Sequence, residues 1–268
     1  MVILFDQERP SDSPFVERVW RCHSERPGSF ISIAESRWEM VVTRYQGRVS
    51  MTVRGPETKA TPAYCPADSE WLGIRFKPGT FLHRMPASKL VDGNVNLPEA
   101  TDTAFCLHGS AWQFPDFENA DTFVDRLARE GLLVAEPVTS AALQGRPTDL
   151  SLRSVQRRFL QAAGITQNAA RQIERARYVT LLLRQGVSVL EAVHQAGYVD
   201  QPHMIRSLKH FIGQTPTQII GEQSQLSFLY NTRPFPSPTI ADEKQREQSY
   251  SFANQEYSSS VGRSAVIS

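Results

Sequence analysis

The sequence has little that would support a secreted, disulfide-stabilised or membrane-spanning protein. Its 268 residues include only three cysteines, Cys22, Cys65 and Cys106, and this odd, widely spaced set predicts reduced thiols. No apolar run approaches the roughly 18 residues that a membrane span requires. The apolar N-terminal stretch is interrupted at Asp6 and lacks a basic flank, unlike a secretory signal. We therefore expect a cytoplasmic protein without membrane contact.

Motifs of the common enzyme classes are also missing. The sequence contains no Gly-rich phosphate loop, no nucleophile elbow and no His-Glu-X-X-His sequence. Cys22-His23 and Cys106-X-His108 lack the spacing of a zinc site. We expect no catalytic residue, no metal and no cofactor.

The net charge is only +1, but it is unevenly distributed. Residues 146–220 hold ten basic and four acidic residues, net +6, whereas residues 1–145 carry net −4 and residues 221–268 net −1. A basic segment in a near-neutral chain is typical of a protein with a polyanionic partner, although a solvated surface gives the same count. A geometric motif is needed to separate the two.

Alternation with a period of two predicts strands in the N-terminal part. Between Phe30 and Phe76, apolar residues such as Met51 and Val53 alternate with polar ones, and residues 45–47 are predicted to form a turn. This pattern favours a small antiparallel β-sandwich or barrel.

Near Asp121 the period changes to that of amphipathic helices, and no strand is predicted from there to Ile220. We therefore predict an α+β chain with β-rich residues 1–120, helical residues 121–220 and a tail at 221–268. The tail is rich in Ser, Gln, Asn and Pro and is predicted to be disordered.

The helical region is predicted to contain two helix-turn-helix units. Ser151, Thr166 and Ser188 are good N-caps, and a further helix is predicted to begin near Asp200. The helix after Thr166 extends to about Gly186 and is roughly 30 Å long. This length is close to one turn of DNA, about 34 Å, so two recognition helices would fit successive major grooves.

At this point the sequence resembles the DNA-binding domain of AraC/XylS-type transcriptional regulators. The similarity lies in the sequences Ser-Leu-Arg-Ser-Val-Gln-Arg-Arg-Phe at 151–159, Ile-Glu-Arg-Ala-Arg at 173–177, Ala-Gly-Tyr-Val-Asp-Gln-Pro-His at 196–203 and Gly-Gln-Thr-Pro at 213–216. It covers residues 146–220. The resemblance implies an all-α double helix-turn-helix DNA-binding domain, joined to a β-rich domain that binds a small effector or dimerises.

The first helix-turn-helix unit departs from the family pattern. Its predicted first helix, at 138–143, is followed by a longer connection at 145–150 that contains a proline. We therefore expect the second unit to be the more regular of the two.

Seven residues on the two recognition helices are predicted to contact DNA. Arginine and glutamine can form paired hydrogen bonds with base edges, and lysine favours phosphate. The alternative is that these residues are the solvated sides of amphipathic helices. They are Arg153, Gln156 and Arg157 in the first unit and Gln201, His203, Arg206 and Lys209 in the second.

Together these patterns predict a sequence-specific transcriptional regulator rather than an enzyme, with double-stranded promoter DNA as its partner. A small-molecule effector or homodimerisation through the β-rich domain is expected to modulate it. RNA polymerase is a further expected partner, and the expected location is the nucleoid.

Two other functions stay open. In the first, the β-rich domain has an activity of its own, such as the cysteine-based methyl transfer of repair proteins. That activity requires a Pro-Cys-His-Arg sequence, which Cys65-Pro-Ala does not provide. Alternatively, the chain is a protein-interaction module that has lost DNA binding. The four tryptophans, Trp20, Trp38, Trp71 and Trp112, are expected to pack in the core rather than line an effector pocket.

Overall fold

The computed structural model describes residues 3–221, and the predicted disordered tail lies outside the described residues from position 222 onward. The strands are β1 (Leu4–Pro10), β2 (Val16–Ser24), β3 (Gly28–Ser32), β4 (Glu39–Tyr45), β5 (Arg48–Arg54), β6 (Thr61–Cys65), β7 (Ser69–Phe76), β8 (Thr80–Leu82), β9 (Asn94–Asn96), β10 (Glu99–Thr101), β11 (Ala104–Leu107), β12 (Ser110–Gln113) and β13 (Leu133–Ala135). The helices are α1 (Ala120–Arg129), α2 (Pro137–Leu143), α3 (Leu152–Ala163), α4 (Gln167–Arg184), α5 (Val189–Gln195), α6 (Gln201–Phe211) and α7 (Pro216–Gly221), with a 3-10 turn, η1 (Ala87–Lys89). The predicted order, antiparallel sheets followed by helices, is confirmed.

The largest sheet is antiparallel and has six strands in the order β1-β2-β7-β4-β5-β9. The predicted turn between β4 and β5 is confirmed, with Tyr45 paired to Arg48. Gln46 and Gly47 both have positive φ, 48° and 75°. Two-residue hairpin turns of this kind match the right-handed twist of the strands, which explains the turn sequence.

Strand β7 is buried on both sides. Leu72, Ile74 and Phe76 lie in the main core, which α1 also covers. On the opposite face, a Cβ on Gly73 would lie 2.0 Å from the indole ring of Trp20, so only glycine permits this contact. Both faces of the sheet therefore contribute to the packing of the chain.

The helices α2 to α7 surround a second core. Phe159, Ile173 and Leu208 are at most 1% exposed within it. Ile33 and Ala34, from the segment between β3 and β4, are also completely buried in this cluster. The β-rich part therefore closes the helical core.

The helix boundaries follow the predicted caps. The hydroxyls of Ser151, Thr166 and Ser188 each accept a backbone N–H from the first turn of the helix that follows. Gly164 ends α3 with a φ of 78°, a left-handed conformation that favours glycine.

One prediction in the helical region was wrong. Strand β13 lies between α1 and α2, where no strand was expected, and it pairs with β8. Three residues are too few for alternation to be visible, and the partner lies about fifty positions earlier in the chain.

Candidate nucleic-acid interface

The second helix-turn-helix unit consists of α5 and α6, joined by residues 196–200. Gly197 provides the sharp turn, with a φ of 66°. The Asp200 side chain caps α6 by accepting the His203 backbone N–H at 2.6 Å. Pro202 occupies the first turn of α6, where its missing N–H costs no helical hydrogen bond.

Tyr198 holds this unit against α4. Its hydroxyl lies 2.8 Å from the hydroxyl of Ser207 on α6. The guanidinium of Arg175 on α4 lies 4.4 Å from the centre of the tyrosine ring, and the His203 ring packs edge-on against it at 5.1 Å. Burial raises the pKa of Tyr198, so the hydroxyl stays protonated. These contacts join the second unit to α4.

Helix α6 exposes three of its four predicted DNA-contacting residues to solvent, Gln201, Arg206 and Lys209. Their side chains make no hydrogen bond or ion pair with any residue in the described range 3–221. Pro202, Arg206 and Lys209 follow the i, i+4, i+7 spacing of one helix face. His203 is half-buried against Tyr198, so it also has a packing role.

On the first recognition helix, α3, Arg153, Gln156 and Arg157 are all exposed. Their spacing of three and four residues places them on one side of the helix. Within the described part of the chain they too have no side-chain hydrogen bond or ion pair. The adjacent Arg158 differs, because its guanidinium lies 3.7 Å from the Glu136 carboxylate.

The first unit has the long connection that the sequence predicted. Eight residues, 144–151, separate α2 from α3. Two side chains of α4 hold the end of α2: Gln167 and Arg171 donate to the Ala142 carbonyl oxygen at 2.7 and 2.9 Å. The last carbonyls of α2 thus accept hydrogen bonds both from the backbone of the turn at 144–146 and from two side chains of the linking helix.

The charge count of the basic segment overstated the charge available to DNA. Arg171 bonds a carbonyl, Arg175 lies over Tyr198, and Arg177 is only 4% exposed. The sequence carried a signal for Arg177, which lies four residues after Ile173 and therefore on the buried side of α4. Exposure separates it from the arginines of α3 and α6.

Two other kinds of feature are not found among residues 3–221. No group of three or more His, Cys, Asp or Glu side chains there is arranged to hold a metal ion. None of the described helices is long and apolar enough to cross a membrane.

Comparison with known proteins adds to this geometry. Residues 146–221 match the family model described as "Helix-turn-helix domain". This match and the sequence pattern at 151–216 decide the type of domain. Residues 146–221 are a helix-turn-helix domain of the AraC/XylS type. Domains of this type belong to DNA-binding transcriptional regulators, and the chain is assigned to that class.

The AraC/XylS-type match begins at Arg146, after the end of α2. It therefore contains the first recognition helix, the linking helix and the whole second unit. The long connection sets α2 apart from the part that the family model recognises.

Among solved structures, the chain is similar to ToxT from Vibrio cholerae, with a TM-score of 0.30 and 9% sequence identity. The similarity covers 85% of this chain and 100% of that chain. At this score it carries no argument about the molecule. No curated protein is a significant match to the sequence.

Proposed function

We propose that the protein is a sequence-specific transcriptional regulator that binds promoter DNA through α3 and α6 in two successive major grooves. The observation that carries this proposal is that α3 and α6 each have an exposed polar face. The arginine, glutamine and lysine side chains predicted to contact DNA on these faces form no hydrogen bond or ion pair with other described residues. Helix α4 has 18 residues and is about 27 Å long. The distance between adjacent major grooves on one side of DNA is about 34 Å, so a linking helix of this length is compatible with recognition helices in both grooves.

The proposed contacts divide between bases and phosphates. On α6, Gln201 and Arg206 have the side chains that form paired hydrogen bonds with adenine and guanine. Lys209 and Arg153 are assigned to phosphates, which position the protein without specifying sequence. Gln156 and Arg157 supply the base contacts of the first unit, and His203 supports α6 through Tyr198. RNA polymerase and a location at the nucleoid are further parts of this proposal.

The test is binding of the purified chain to its own upstream intergenic DNA and to scrambled DNA of equal length, at two salt concentrations. We expect preferential binding to the native sequence and a steep loss of affinity with salt, because phosphate contacts release counterions. Equal binding to both duplexes, or none, would contradict the proposal and favour the protein-interaction module.

A cleft in the β-rich part favours a second function, the binding of a small effector. It has a volume of about 230 Å³ and lies at the end of β2, β4 and β7. Its apolar lining includes Val42, Leu72 and Phe117. The volume is below the roughly 300–1000 Å³ of sites for drug-sized ligands, so it suits a small metabolite.

The charges of the cleft indicate what it would bind. Arg44 and Glu70 lie directly opposite each other on β4 and β7. Neither side chain has an ion pair or hydrogen bond within the described part of the chain. Trp71 also lines the cleft, whereas Trp20, Trp38 and Trp112 are at most 5% exposed, which matches the expected core packing of those three. A small polar molecule with an apolar body would complement this lining.

This second function is tested by thermal unfolding in the presence of small carboxylates, amines and amino acids. A ligand of the cleft would raise the unfolding temperature of the native chain and not that of Arg44→Ala. Arg48→Ala is the matched control, because Arg48 is exposed on the same hairpin outside the cleft. An unfolding temperature unchanged by every compound would contradict this second function.

A further inference from the structure

The β-rich part contacts the C-terminal end of the second recognition helix. The Ala34 N–H donates to the Phe211 carbonyl oxygen and the Ala60 N–H donates to that of His210, both at 2.8 Å. The last carbonyls of a helix have no partner within the helix. Two backbone donors of the β-rich part therefore complete the end of α6.

The residues after α6 approach the same segments closely. Gly213 has a φ of 77°, and a Cβ there would lie 3.0 Å from Ile31 and 3.1 Å from Ala60. Glu35 and Glu57 exchange backbone hydrogen bonds at 2.8 and 2.9 Å, which join the two contacting segments to each other. The contact surface is thus itself held together by a β-bridge.

A second contact lies at the end of the first recognition helix. Gly164 ends α3, and a Cβ at this position would lie 2.8 Å from the Ala87 carbonyl oxygen in η1. Val91, just beyond η1, packs against the helical core. The β-rich part thus touches both recognition helices at their C-terminal ends, beyond their predicted DNA-contacting residues.

The third contact is with α4, which joins the two units. The Glu174 carboxylate accepts hydrogen bonds from the Arg37 guanidinium at 2.8 Å and the Ser36 hydroxyl at 2.7 Å. The Arg177 guanidinium donates to the Ala34 carbonyl at 2.9 Å and lies 3.3 Å from the Glu35 carboxylate. Helix α4 therefore contributes one acid and one base to a buried ion cluster.

The ion cluster continues into the main sheet. Arg75 of β7 is completely buried, 3.5 Å from the Glu35 carboxylate and 3.7 Å from that of Glu39. Burial by itself would raise the pKa of Glu35, but Arg177, Arg75 and Arg37 together hold it well below its usual range. Buried charges of this kind persist only when each is paired, so the geometry of the cluster is tightly specified.

We propose that the β-rich part sets the angle between the two recognition helices, with Glu35, Ser36 and Arg37 as the positioning residues. This proposal rests on the DNA-binding function proposed above. Two modules that are held at a fixed spacing bind a matching double site far more tightly than either half. The ion cluster provides the fixed spacing, because it binds α4, the helix that joins the two recognition helices.

The test uses the full chain and a duplex selected with it from a random pool. Affinity is measured for the selected duplex, for a derivative with one half scrambled, and for derivatives with one or two base pairs inserted at the centre. The main variant combines Glu174→Gln with Arg177→Met, which removes one charge of each sign and leaves the net charge of the cluster unchanged. Ser36→Ala removes a single hydrogen bond and is the milder variant.

We expect the double variant to lose about tenfold of the preference for the complete duplex over the half-scrambled one. Its affinity for the half-scrambled duplex should stay unchanged, and it should tolerate the insertions better than the native chain. Ser36→Ala should change the duplex preference and the tolerance of insertions in the same direction, but by a smaller amount. Asp121→Asn is the control, because it breaks the Arg9–Asp121 pair between β1 and α1 and does not touch α4.

Each outcome decides the proposal. Folded variants with the native preference and the native response to insertions would overturn it. Equal weakening on the complete and half-scrambled duplexes would also overturn it, because that result shows only a loss of folded protein. If the native chain selects no duplex from the pool, the DNA-binding function itself has failed. Should the double variant not fold, the preference measured with Ser36→Ala decides.

Discussion

Arginine serves opposite purposes in two regions of this molecule. In the ion cluster, Arg37, Arg75 and Arg177 are at most 4% exposed and lie beside carboxylates. On the recognition helices, Arg157 and Arg206 are exposed and have no internal partner in the described chain. A charge count treats the two groups alike. Burial and pairing show that the first group holds the structure and only the second is free to contact DNA.

The largest effect is expected in the buried region. Arg177→Met should lower the free energy of unfolding by about 3–5 kcal/mol, because it leaves the Glu35 carboxylate short of a buried partner. Urea unfolding measures this change. Arg157→Met is the matched control on the exposed side, with an expected change within about 0.5 kcal/mol. Equal effects of the two substitutions would remove the distinction between the regions.

The pH dependence of stability tests the same region. The pKa of Glu35 is lower in the folded chain than in the unfolded chain, where it is about 4.3. The contribution of Glu35 to the free energy of unfolding is therefore complete above that unfolded value, and it is lost as the pH falls from there towards the folded pKa. Urea unfolding at pH 7, 5 and 3.5 should show this fall in the native chain. Glu35→Gln should be less stable at pH 7 and should lose less on acidification. A parallel decline of both proteins would argue against the assigned charge on Glu35.

The exposed region is tested through DNA discrimination. Arg206→Ala should reduce the preference for the native over the scrambled duplex by about 1–3 kcal/mol and leave unfolding unchanged. Competition binding measures the preference. Arg158→Ala is the control, because Arg158 lies beside Glu136 rather than on the predicted contact face. If Arg206→Ala weakened both duplexes equally, Arg206 would be a phosphate contact and not a base contact.

Tyr198 connects α4 with α6, because the Arg175 guanidinium packs on its ring and its hydroxyl forms a hydrogen bond with Ser207. Tyr198→Phe removes the hydrogen bond to Ser207 and should lower the free energy of unfolding by about 1 kcal/mol. The affinity for DNA should change little, since the aromatic packing remains. Thermal and urea unfolding measure the change in stability, and titration with DNA measures the change in affinity. An unchanged stability would mean that the hydroxyl contact does not hold the unit together.

The smallest effect is expected for a single phosphate contact. Arg153→Ala should weaken binding to native and scrambled duplexes alike and reduce the salt slope of log K by about 1. Titrations at four salt concentrations give this slope. An unchanged slope would place Arg153 away from the DNA backbone.

Local signals in the sequence predicted much of the helical region. The caps at Ser151, Thr166 and Ser188 are correct because each depends on a side chain bonding three residues along the chain. The turn at 45–47 is correct for a similar reason, since positive φ is a local property of Gln46 and Gly47. Strand β13 was missed because its partner β8 is distant in sequence.

Long-range contacts account for what the sequence did not show about the site. The contact residues of α3 and α6 were predicted from helical spacing, and their exposure is consistent with that prediction. The contacts of Glu174 and Arg177 with residues 34–37 cross about 140 positions of the chain, and no periodicity in either segment indicates them. The cleft beside Arg44 likewise requires strands β2, β4 and β7 to be brought together by the fold.

Hydroxyl-radical footprinting of the full chain on its selected duplex is the most direct test of the central claim. Two recognition helices in successive major grooves predict two protected tracts on one face of the DNA, about 10 base pairs apart. Arg206→Ala should weaken the tract bound by α6 and leave the tract bound by α3. A single protected tract, or protection without a fixed spacing, would contradict the account.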